Sequence, residues 1–203
     1  MSKIDSLEDQ AETLFMSGNH SAALQVCEQL IKLDPDNPLN WVKAASNLQE
    51  LGRVNDAIRY CDEAISIDPK ESFSFIEKGI CLVLLGEISE AIGAYSRSIE
   101  LSPCAPAFSL RAICYMRKGV QELRLCVEFL RRGVVDKKTS HEKLAVEELK
   151  KAVSDLRRAE DLGEENDDTI DLLLAAIQQA EERGLRADEL EQAVAALGGA
   201  PSA

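Results

Sequence analysis

The chain contains little that can do chemistry. Among its 203 residues only His20 and His141 are histidines, and neither stands in a HExxH or a Cys/His cluster, which leaves a zinc site or a histidine base without material. It has no GxSxG and no phosphate loop, and its six cysteines include no CxxC pair. The acidic stretch Glu164, Glu165, Asp167, Asp168 lacks the alternating ligands and central glycine of a calcium loop, and a carboxylate-rich helix N-terminus accounts for it. The longest apolar run, Ile80 to Leu85, is too short to span a bilayer, and Met1 to Gln10 is not a basic-then-apolar leader. These absences lead to the expectation of a cytoplasmic protein that is not an enzyme, holds no cofactor and no metal, and has no membrane span.

What the chain does have is a period. Gly18, Gly52, Gly86 and Gly119 recur at steps of 34, 34 and 33 residues, with Ala23, Ala57 and Ala91 and then Pro35, Pro69 and Pro103 in register. A unit of this length is a helical pair that buries its apolar stripe only by stacking on its neighbours. Each glycine follows an apolar-periodic stretch, as in Leu48, Leu51, Gly52, and supplies the left-handed residue that ends a first helix. The alanines let a second helix approach closely, and the prolines stop it.

On these residues the chain resembles the tetratricopeptide repeats. The second unit shows it best, with Trp41, Ala45, Leu48, Gly52, Ala57, Ala64 and Pro69 at the family's spacing, and the third follows with Phe75, Gly79, Leu82, Gly86, Ala91, Tyr95 and Pro103. The resemblance implies an all-α, right-handed α-solenoid of antiparallel helix pairs, with units at 4–37, 38–71, 72–104 and 105–166. Trp41, Leu48 and Ala57 are expected in its core.

The fourth unit departs from the pattern. It opens with Phe108, Ala112, Tyr115 and Gly119, but the second-helix signature Ala152, Leu156, Ala159, Leu162, Gly163 returns 33 residues after Gly119 instead of 5. Val120, Leu123, Val127, Leu130 and Leu144, Leu149, Val153, Leu156 keep helical spacing, with Thr139 and Glu142 placed like a capping box. One reading is a helical hairpin inserted near 119–145 with its tip at 133–140. The other is a degenerate pair at 105–132 followed by a new helix from 141. Farther on, Ile170, Leu173, Leu174 and Ile177 and a stretch from Ala187 to Leu197 predict capping helices within 167–197, before a flexible tail at 198–203.

Charge and cysteines narrow the partners. The net charge of −13 is uneven: Arg117 to Arg158 carries 12 basic and 7 acidic residues, and the remainder is strongly acidic. An acidic body disfavours nucleic acid, since that affinity comes from Lys and Arg. The pairs Arg131-Arg132, Lys137-Lys138, Lys150-Lys151 and Arg157-Arg158 make either an anionic docking site or a solvated helical face interleaved with glutamates. Cys27 and Cys61, like Cys81 and Cys114, hold equivalent places in successive units, too far apart for a bridge, so all six cysteines are expected as reduced core side chains.

In the family the first helices line the inner surface, and the resemblance places a peptide-binding groove there. By register its first unit offers Asp5, Glu8, Asp9, Glu12, Phe15 and Met16; its second Leu39, Val42, Lys43, Ser46 and Gln49. The third gives Phe73, Ile76, Glu77, Ile80, Val83 and Leu84, and the fourth Leu110, Ile113, Met116 and Arg117. Members that clamp acidic tails of heat-shock chaperones carry Lys and Asn in the first unit, Asn in the second, and Lys and Arg in the third. Here the matching positions are Glu8 and Glu12, Lys43, and Phe73 and Glu77, so that assignment is rejected on sign.

From Phe73 to Leu85 only Ser74, Glu77 and Lys78 are polar, and a helix apolar nearly all round calls for cover. The cover is either another protein, with apolar anchors and basic flanks, or the chain itself through Ile170 to Ala180 or through a homodimer. Two functions follow. One is an adaptor or scaffold that holds an apolar peptide segment; the other is a regulatory or assembly subunit, its groove closed by its own C-terminus, that associates through outer faces and the basic hairpin.

Overall fold

The structure is a computed structural model, and it describes residues 3–132 and 135–166 and, beyond these, 169–171, 173–175 and 177–178. The expected helix from Ala187 to Leu197 and the tail at 198–203 lie outside the described residues. The described elements are helices: α1 (Lys3–Met16), α2 (His20–Leu33), α3 (Pro38–Glu50), α4 (Val54–Ile67), α5 (Ser72–Leu85), α6 (Ile88–Leu101), α7 (Ala105–Arg131) and α8 (Val135–Asp161). Among the described residues no helix is long and apolar enough to cross a membrane.

The chain divides into two compact units, Met1–Pro103 and Cys104–Ala203. In the first unit α1–α2, α3–α4 and α5–α6 are stacked antiparallel pairs, the solenoid that the period implies. Gly18, Gly52 and Gly86 hold φ of 74°, 74° and 81°, the left-handed region in which a Cβ is strained. The second helices end at Leu33, Ile67 and Leu101, two residues before Pro35, Pro69 and Pro103. Asn19 and Asn37 cap α2 and α3 by accepting from Ala22 N at 3.4 Å and Leu39 N at 3.1 Å.

Leu48 and Ala57 are fully buried in a core with Leu24, Cys27, Leu30, Ala44, Ala45 and Cys61. Trp41 is not: it is half-exposed, its ring tilted against Tyr60 and its Nε1–H donating to the Pro35 carbonyl at 3.0 Å. An indole must keep its N–H hydrogen-bonded, and here a turn carbonyl at the edge of the unit provides the partner.

In the second unit residues 105–131 form one unbroken helix, so they are not a degenerate pair, and α8 returns along it. Because α8 begins at Val135, position 139 lies inside it and not at its N-terminus. Gly119 lies in the helix interior and ends no helix; a Cβ there would stand 2.7 Å from Leu149 Cδ2 on α8. The glycine that turns the chain in the first three units here lets two helices approach. Ala112, Met116, Val120, Leu123 and Cys126 of α7 pack with Ala145, Leu149, Val153 and Leu156 of α8. Arg111 forks onto Asp155 at 2.7 and 2.8 Å, and Ser109 bonds Glu164. The two long helices thus bury their own stripe, which makes this part a unit with its own core. Ile170, Leu173 and Ile177 join it.

Candidate functional site

The candidate site is the face formed by α1, α3 and α5, the first helices of their pairs. The helices meet in order. Lys43 of α3 pairs with Glu8 of α1 at 3.8 Å, and Glu77 of α5 lies against Ser46 of α3.

α5 supplies the apolar part. The Glu71 carboxylate caps it, accepting from Phe73 N at 2.8 Å and Ser74 N at 2.6 Å, which fixes the first turn and its outward phenylalanine. Phe73, Glu77, Ile80 and Leu84 then follow at steps of four, three and four, one stripe along the helix. Phe73 is 60% exposed and Leu84 52%, Ile80 and Val83 are half-buried, and Ile76 is buried. Leu85, at the end of α5, is 40% exposed. In the second unit Ile170, Leu173 and Ile177 pack against α7 and α8.

Glu77 is 9% exposed, and its Oε1 is buried with no hydrogen-bond partner in the protein. Burial pushes its carboxyl up to about 7, opposed by the Ser46 hydroxyl and reinforced by Glu50. Between α1 and α3 lies a cleft of about 310 Å³ walled by Ala11, Glu12, Phe15, Cys27, Lys43, Ser46 and Asn47. Val42 is half-buried and Glu12 is exposed at the cleft's edge. Asn47, which the sequence reading passed over, is 2% exposed. Its Nδ2 donates to Lys43 O at 2.8 Å and approaches Cys27 Sγ at 3.8 Å, while Oδ1 has no partner in the protein. The signal was present, since Asn47 sits on the stripe of Ala44 and Leu48 where an apolar residue belongs.

The fourth-unit residues divide. Leu110 and Ile113 are half-buried on α7, but Met116, expected in the groove, is buried in the α7–α8 core, which the continuation of α7 past Gly119 makes possible. Several basic residues of α7, α8 and the turn after α7 meet carboxylates: Lys118 with Glu148, Arg132 with Glu128, Lys151 with Glu147 and Glu148, and Arg158 with Asp161. Both histidines pack on aromatic rings, His20 on Phe15 and His141 on Phe129, and His141 Nδ1 lies 2.5 Å from Glu122.

All six cysteines are thiols, buried except for the half-buried Cys104. Burial raises Cys27 and Cys114 to about 11, and a bond to the Cys81 thiol with burial raises Cys61. The meeting of Cys61 with Cys81 is a contact between non-equivalent positions, which a comparison of equivalent ones does not foresee.

Residues 14–74 match the family model for the tetratricopeptide repeat, across the Gly18 and Gly52 turns and the face of α3. Over that segment the chain carries the tetratricopeptide repeat. No curated protein matches it. Among solved structures, the chain is similar to the MamA RS-1 ArsTM double mutant, at 17% identity over 98% of this chain and 96% of that one, with a TM-score of 0.60. It is also similar to the second tetratricopeptide domain of human RPAP3, solved in complex with the HSP70 peptide SGPTIEEVD. That match has 23% identity over 54% of this chain and 92% of that one, with a TM-score of 0.50. Both likenesses concern the fold.

Proposed function

We propose that this tetratricopeptide-repeat chain is a non-enzymatic adaptor or scaffold whose α1–α3–α5 face holds an apolar segment of another protein. The observation that supports this most is the uncovered stripe on α5, where Phe73 and Leu84 are more than half exposed beside Ile80 and Val83. Burying several such anchors supplies affinity at about 25 cal/mol per Å² of apolar surface. The carboxylates of α1, Asp5, Glu8, Asp9 and Glu12, favour a segment with basic flanks and steer its approach. A similar fold holds a peptide in the human RPAP3 domain, but that peptide is acidic, and Glu8 and Glu12 repel such a tail here. Six reduced thiols accord with a cytoplasmic setting.

The experiment is site-specific photo-crosslinking in the native cell. A photoreactive residue at position 73 should capture a defined partner segment that the same group at exposed Arg97 does not. Equal capture at both positions, or capture at 73 of this chain alone, contradicts the adaptor reading; the second result makes the face a homodimer contact.

A further inference from the structure

We propose that the cleft between α1 and α3 is a subsite for one cationic side chain, a lysine or arginine of the bound segment. The proposal deepens the reading of this face as peptide-binding and rests on it. Its size fits the role: at about 310 Å³ it is at the small end of ligand pockets, suited to one long side chain.

The walls divide by chemistry. Ala11, Phe15 and Cys27 are apolar wall residues that suit a methylene stem, while Glu12, Ser46 and Asn47 are polar residues of the same wall. The Asn47 amide spends its N–H donors on the Lys43 carbonyl and the Cys27 sulfur, which fixes the amide's orientation and leaves Oδ1, buried and without a partner in the protein, as an acceptor only. Behind Ser46 stands Glu77, with its own unpartnered buried oxygen. Buried acceptors of this kind are costly until a donor reaches them, and ammonium and guanidinium groups bring several donors and no acceptor.

Charge selects a cation over a neutral donor. The cleft's resident cation, Lys43, is paired with Glu8, which leaves the Glu12 carboxylate at the rim. A carboxylate tail meets those same groups with the wrong sign.

The test uses the intact chain and four probes: the N-acetyl amides of lysine, arginine, norleucine and citrulline, titrated while the amide resonances of Ser46 and Asn47, including the Asn47 side-chain NH₂, are followed by NMR. Lysine and arginine amides should give saturable shifts there, and norleucine and citrulline should bind at least roughly tenfold more weakly, having lost the charge. Glu12→Gln should weaken the cationic probes several-fold without disturbing the fold, since Glu12 is exposed. Absence of saturable shifts at Ser46 and Asn47, citrulline binding as tightly as arginine, or affinity unchanged in Glu12→Gln overturns the subsite. Its failure is separable from that of the adaptor reading, because crosslinking at position 73 stands or falls on the α5 stripe alone.

Discussion

Gly119 on α7 lies so close to Leu149 on α8 that a Cβ would stand 2.7 Å from Leu149 Cδ2, and Gly79 on α5 stands in the same relation to the Tyr95 ring, at 2.5 Å from its nearest carbon. The two contacts should respond differently to alanine. Alanine in a helix interior gains roughly 0.5–1 kcal/mol over glycine, while forced overpacking costs roughly 1–3. Both neighbours are fully buried, but Leu149 meets the new methyl with a rotatable aliphatic side chain and Tyr95 with a rigid ring. Gly79→Ala should therefore lower the melting temperature clearly and Gly119→Ala only slightly. Equal shifts would contradict the packing described here.

Leu48 and Trp41 test the edge of the first core. Leu48→Ala should cost about 2–5 kcal/mol, as for a closed core site. Trp41→Ala should cost less, because its ring is half-exposed and its chief loss is the Tyr60 contact and one hydrogen bond. Urea midpoints of the two variants give the order directly.

Glu77 makes stability depend on pH. Its folded carboxyl is raised from 4.5 to about 7, so the folded state binds the extra proton between these values. The associated stability is present in full below about pH 4.5 and is lost as pH rises through about 7, on the order of 3 kcal/mol at 1.36 per unit. Glu77→Gln should flatten the fall between about pH 5 and 8. An identical pH profile in the variant would show that the carboxyl is not desolvated.

The thiols provide a check on the core. Denatured without reductant, the chain should titrate as six thiols, and native it should show one fast thiol, Cys104, the only one that is not buried. A count of four in the denatured chain would mean a disulfide, with the Cys61–Cys81 contact as the first place to look.

Much of this fold is legible one residue at a time. A left-handed glycine or a helix-stopping proline acts on its own backbone, which is why Gly18, Gly52, Gly86, Pro35, Pro69 and Pro103 mark the turns correctly. Gly119 carries the same letter in nearly the same register, but its role depends on Leu149, thirty residues on, and nothing local distinguishes a turn from a close approach. Met116 was misplaced for the same reason: once α7 continues, its inner stripe belongs to α8. At the site, periodicity exposes the α5 stripe and the acidic α1, but the buried acceptors of Asn47 and Glu77 emerge only when α1, α3 and α5 lie side by side.

The central claim is that the α5 stripe is the surface that binds, and Phe73→Glu tests it most directly. Phe73 is 60% exposed, so the charge adds little cost to folding. The measurement is the affinity of the segment crosslinked at position 73 for wild type and for Phe73→Glu, with circular dichroism to confirm the fold. The account predicts an unchanged helical spectrum and melting curve with at least about tenfold weaker binding, the loss expected when a central apolar anchor is replaced. Unchanged affinity in a folded Phe73→Glu protein would contradict it.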